Sequence, residues 1–145
     1  MSHHLQSEQD ALAITDAFNG FHDGFIHSLT LRSHDRFTAD GPDATDIAHH
    51  TSGDFDIEVD FAHYNYGGRL QPIERIVTAV FQGVRDVRLD LTGHTPEQWP
   101  ITVVEFPLSD GLFEFRITRS RLEANDWVTS TRTWFRFLTA AFTEG

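Results

Sequence analysis

Four side chains in this sequence have the chemistry to hold a divalent metal ion or to move a proton. His22, Asp23 and His27 lie in the stretch FNGFHDGFIHSLTL, residues 18–31, and His63 lies in a later apolar–polar run. Imidazoles beside a carboxylate make a zinc-type ligand set, the carboxylate either binding the metal or orienting a histidine. The same groups make an acid–base pair, because histidine titrates near neutrality. One reading is therefore a small-molecule or divalent-metal site, hydrolytic in its chemistry, at His22, Asp23, His27 and His63. The other is a turn at Asp23-Gly24 whose carboxylate caps backbone N–H groups, with His22 and His27 donating to carbonyls beside a helix end. Neither an H-E-x-x-H motif nor a strand-borne His-x-His accompanies the set, and G-x-S-x-G, GxxxxGK[ST] and G-x-G-x-x-G are all absent. We read HDG as a turn, assign no catalytic residue or cofactor, and expect a non-enzymatic protein.

A second constellation is acidic. In DFDIEVDF, Asp54, Asp56, Glu58 and Asp60 alternate with Phe55, Ile57, Val59 and Phe61. Like charges at alternate positions of a strand share one face, which is either solvated or meets cations. The charge of the whole chain, −11, is unevenly spread: residues 1–72 hold twelve acids against three Arg, residues 73–145 ten acids against eight Arg. This balance argues against nucleic-acid or anionic-membrane binding by the first half. It suits a basic protein partner, whose approach the field accelerates. Arg116, Arg119, Arg121, Arg132 and Arg136 crowd the C-terminal region. They either neutralise the acidic strand within the fold or form an anion-binding patch, the first being more economical. His49-His50, near Asp40, Asp43 and Asp46, read as solvated loop residues. DGPDATD lacks the spacing of an EF-hand loop.

Cysteine is absent, which removes disulfides, zinc–thiolate sites and thiol nucleophiles and leaves a cytoplasmic location as the simplest expectation. No apolar run approaches the roughly 20 residues that span a bilayer. MSHHLQSEQD has neither a basic start nor an apolar stretch, so no secretory signal is expected.

The elements that must position these residues follow from periodicity. Ser7 with Asp10 three residues on signals a helix start. Ala11, Ile14, Phe18 and Phe21 recur at helical spacing, and Asn19-Gly20 signals a stop. One amphipathic helix over about residues 7–19, preceded by a flexible tail at 1–6, is the expectation. The period then becomes two. In FIHSLTLR, Phe25, His27, Leu29 and Leu31 face one way; in DFDIEVDFAHY, His63 joins the apolar side. A register summing to 90 sets His27 opposite His63, and one summing to 86 sets Asp23 opposite His63. Residues 33–53, rich in Asp, Gly, Pro and Thr, read as a long loop. Further strands are expected in IERIVTAVF and GVRDVRLDL, with Gly83 as a bulge between them, and in ITVVEF, LFEFRITRSRLE and WVTSTRTWFRFLTAAF. The last two form a hairpin turning near Asn125-Asp126. Trp127, Trp134, Phe135, Phe137 and Phe142 mark the final strand as core, or else as the edge of a homodimer. The fold class is α+β: one domain over 1–145, with one N-terminal helix on a mainly antiparallel six- or seven-stranded sheet curled into a sandwich or half-barrel.

Phe21 to Gly24, an aromatic-His-Asp-Gly segment, and Phe81 to Val84, a Phe-x-x-Val segment, together resemble small bacterial proteins of the YxiG-like kind and relatives found beside polymorphic toxins. That resemblance implies a cytoplasmic immunity-type protein that binds a toxin, and it carries over no catalytic residue. The expected function is binding, with Asp54, Asp56, Glu58 and Asp60 presented to a basic protein.

Overall fold

Ser7 begins the helix by accepting a hydrogen bond from the Asp10 N–H at 3.1 Å, and Asp10 reaches back to the Gln6 N–H at 3.0 Å. This reciprocal cap satisfies donors that the first helical turn leaves without partners. Helix α1 (Glu8–Ala17) follows, then a single 3₁₀ turn over Asn19–Phe21. Ala11, Ile14, Phe18 and Phe21 are all buried, as their spacing predicts. The computed structural model describes residues 2–39, 47–50, 55–89, 101–121, 126–129 and 133–145.

Among these residues the strands are β1 (Ser2–Leu5), β2 (Phe25–Ser33), β3 (Arg36–Ala39), β4 (Ile47–His50), β5 (Phe55–Tyr66) and β6 (Arg69–Leu89). They continue as β7 (Ile101–Glu105), β8 (Leu108–Ser109), β9 (Leu112–Arg121), β10 (Asp126–Thr129), β11 (Thr133–Phe137) and β12 (Thr139–Glu144). All pair antiparallel, ten in one sheet and β3 with β4 in another. The α+β class and the half-barrel curl are those expected.

Long strand β6 organises the sheet. One edge pairs with β5, and the other pairs first with β12 and then with β11. Gly67 and Gly68, both in the left-handed region, close the tight β5–β6 turn, a geometry that glycine adopts without steric cost. Near Gly83, at φ +64°, the β5 register slips by one residue, and this bulge bends β6 between its two partners. The concave side fills with phenylalanine. Phe81 lies within 4.8–5.8 Å of Phe115, Phe135, Phe137 and Phe142, and Phe115 stacks on Phe135 at 4.6 Å. Edge-to-face and stacked pairs of this kind add to the stabilisation that burial provides.

Three expectations need correction. Residues 1–6 are not a free tail, because Ser2–Leu5 pairs with β12 from Ser2↔Thr143 to Leu5↔Ala140, and Leu5 is buried. A four-residue strand recruited by a distant edge leaves no periodicity to read. Within 33–53, Arg36–Ala39 and Ile47–His50 pair as a short hairpin, and the remainder of that insertion beyond Asp35 lies outside the described residues. Among the described residues the sheet has ten strands in place of six or seven, because β1 and β8 join it and the C-terminal run divides. Within the C-terminal run, β11 lies between β6 and β9 and β12 between β6 and β1, while β10 pairs with β9 and ends the strand order. Phe135, Phe137 and Phe142 are core, while the side chain of Trp127 is outside the described set.

Candidate functional site

The HDG segment holds the sheet together. The Asp23 N–H donates to the Ile101 carbonyl at 2.8 Å, and the Ile101 N–H donates to the Gly24 carbonyl at 3.0 Å. These two bonds tie the approach to β2 to the start of β7, joining margins of the half-barrel that are remote in sheet order. His22 Nδ1–H adds a bond to the Thr102 carbonyl at 3.0 Å. Gly24 is required by space: a Cβ there would come within 2.8 Å of the His63 Cβ and 2.9 Å of the Ala62 carbonyl oxygen.

The four candidate ligands are not brought together. His22 Nε2 and the Asp23 carboxylate approach to 3.5 Å at the surface. His27 falls on a register shift between Ile26 and Ser28, so β2–β5 pairing sums to 87 before it and 88 after it, neither of the registers considered. The bulge turns His27 out to solvent, and Phe25 and Leu31 of the supposed apolar face, on edge strand β2, are 46% and 45% exposed. His63 alone is buried, at 1% exposure. Among the described residues no group of three His, Asp or Glu is placed to hold a metal ion.

His63 has a different environment from the one a ligand needs. Its ring stacks on Tyr66 at 4.0 Å and meets the edges of Phe18 and Phe21. Nδ1 accepts from the Asn65 N–H at 3.3 Å, which puts the proton on Nε2, and Nε2 has no partner. Burial pushes its pKa down to about 4, against a smaller upward pull from Glu144. Burial likewise raises the Tyr66 phenol to about 12. The apolar phase of His63 signalled its burial; nothing in sequence signalled Asn65 Oδ1 and the Tyr66 hydroxyl as further buried atoms without partners.

The acidic row is built as its alternation predicts. Ile57, Val59 and Phe61 enter the core, while Glu58 is exposed on the outer face with Asp56 and Asp60 partly exposed beside it. Asp54 lies outside the described residues. Direct pairing extends the row across three strands, Ser28↔Asp60↔Thr78 and Thr30↔Glu58↔Val80, with Arg32 opposite Asp56. Asp60 accepts from Thr78 Oγ1 at 2.6 Å and Ser28 Oγ at 2.8 Å, and these bonds hold its pKa below the ordinary carboxylate value. Asp56 pairs with His34 Nε2 at 3.0 Å. Two of the C-terminal arginines meet acids outside this row. Arg116 pairs with Glu114 at 3.2 Å within β9, and Arg136 of β11 with Asp86 of β6 at 3.8 Å. The side chains of Arg119 and Arg121, and Arg132 altogether, lie outside the described residues.

No protein-family model, curated protein or solved structure matches this chain. Among the described residues no helix is long and apolar enough to cross a membrane.

Proposed function

We propose that this is a non-enzymatic binding protein whose outer sheet face, centred on Asp56, Glu58 and Asp60, docks a basic protein. The observation that carries the reading is the row Thr30–Glu58–Val80, flanked by Ser28–Asp60–Thr78. It is a regular β surface on which carboxylates rise among short side chains. Asp60 is fixed by two hydroxyl donors and stays ionised, whereas Glu58 is exposed and can meet a cation directly. Long arginine or lysine side chains of a partner can lie across Ser28 and Thr30 to reach these groups. The sequence resemblance favours an immunity-type role in which that partner is a basic toxin. Separation of His22, Asp23, His27 and His63 favours binding over a hydrolytic metal site.

The test is affinity for a folded basic protein of pI above about 9, measured across a salt series. Asp56→Arg with Glu58→Arg should weaken binding at least tenfold, about 1.4 kcal/mol, and flatten the salt dependence. Asp60 is left intact because its hydrogen bonds support the sheet. Equal affinity of the double variant and the parent protein would exclude this face.

A further inference from the structure

A groove runs along the outer side of α1, between the helix and the β7–β8 segment, and it is separate from the acidic strand face. Its deeper reach encloses about 290 Å³. Ala11 and Phe106, both buried, form the floor. Glu8 and Leu12 rise on the helix side, with Glu105 and Leu108 on the strand side. Leu12 is 73% exposed and Leu108 38% exposed. Past Thr15 a shallower reach continues between Asp16 and Val103.

The two walls repeat one pattern. Glu8, Leu12 and Asp16 stand four residues apart, so they form a single stripe on the helix surface, acid–leucine–acid. Across the gap stand an acid and a leucine, Glu105 and Leu108. Among the described residues no arginine lines either reach. A leucine this exposed on a helix whose other face is fully packed gains from being covered, and the surrounding carboxylates set the charge of whatever covers it. A second copy of this chain, itself at −11, is repelled.

We infer that this groove binds a short cationic, amphipathic segment of a partner protein in extended form. An apolar side chain would sit over Ala11 and Phe106 between Leu12 and Leu108, with flanking arginines or lysines on Glu8, Glu105 and Asp16. From Glu8 to Ala17 the helix offers about 14 Å of wall, the span of about four extended residues.

The experiment titrates the full chain with a fluorescent peptide of alternating leucine and arginine, and with its leucine–glutamate and leucine–glutamine counterparts. Anisotropy and backbone NMR are the two readouts. The arginine peptide should bind at least tenfold more tightly than either counterpart and move the amides of Leu12, Thr15, Val103 and Leu108. Leu12→Arg with Glu105→Arg, both at the surface, should abolish that binding, while Asp56→Arg with Glu58→Arg should leave it unchanged. Should the groove variant fail to fold, the NMR map on the parent protein decides alone. Shifts confined to other surfaces, equal binding of the glutamate peptide, or no binding of the arginine peptide at millimolar concentration would overturn the inference. An arginine peptide lost only with the Asp56 and Glu58 substitutions would assign it to the acidic strand face.

Discussion

At the level of single residues, Gly24 meets His63 and the β5 backbone with no room for a side chain. Gly24→Ala places a methyl group against the Ala62 carbonyl, a backbone atom that cannot swing aside. Chemical denaturation should show a loss of about 1–3 kcal/mol, and an unchanged midpoint would contradict the clasp described for HDG. His63 makes a prediction about pH. Its folded-state pKa, about 4, lies below the unfolded value of about 6.5. The folded protein therefore binds the fewer protons, so the contribution of a neutral His63 is complete above pH 6.5 and is lost as pH falls through that window towards 4. Urea midpoints at pH 7 and 4.5 should differ by more in the parent protein than in His63→Leu, with the difference amounting to roughly 2–3 kcal/mol. Parallel pH profiles would show that this ring is already charged or solvated. The sequence announced His63 through its apolar phase. It did not announce the outward turn of His27, because a one-residue bulge leaves no mark in alternation and reverses every orientation beyond it.

Among the elements, α1 and the long strands were legible because their signals are local. Ser7, Asp10 and the helical spacing of Ala11, Ile14 and Phe18 all lie within one short window, and Phe55 to Phe61 alternate without interruption. Ser7→Ala should cost about 1 kcal/mol, read as a lower thermal midpoint, while Ser2→Ala on the outermost strand should cost far less. Equal effects would mean that the cap does not begin the helix. Elements defined by distant neighbours were not legible. β1 exists because β12 has an edge to fill, the β3–β4 hairpin because two four-residue segments meet, and the division of the C-terminal run because β11 and β12 pair with successive parts of β6. The destination of the arginines was hidden for the same reason. Pairing of β11 with β6 brings Arg136 near Asp86, and Arg116 shares a strand face with Glu114, so these two arginines meet acids other than Glu58.

For the whole molecule, the phenylalanine-filled half-barrel acts as a rigid frame that carries two acidic surfaces of different character, one a flat strand row and the other a groove with a greasy floor. A charge of −11 steers any basic protein towards both, so affinity alone does not say where it lands. Location does. The most direct measurement is a backbone NMR titration of the intact chain with a folded basic protein at two salt concentrations. Shifts should be largest at Ser28, Thr30, Asp56, Glu58, Asp60 and Thr78 and should shrink as salt rises. Perturbation that spares these amides, or that persists undiminished at high salt, would contradict docking through the acidic strand face.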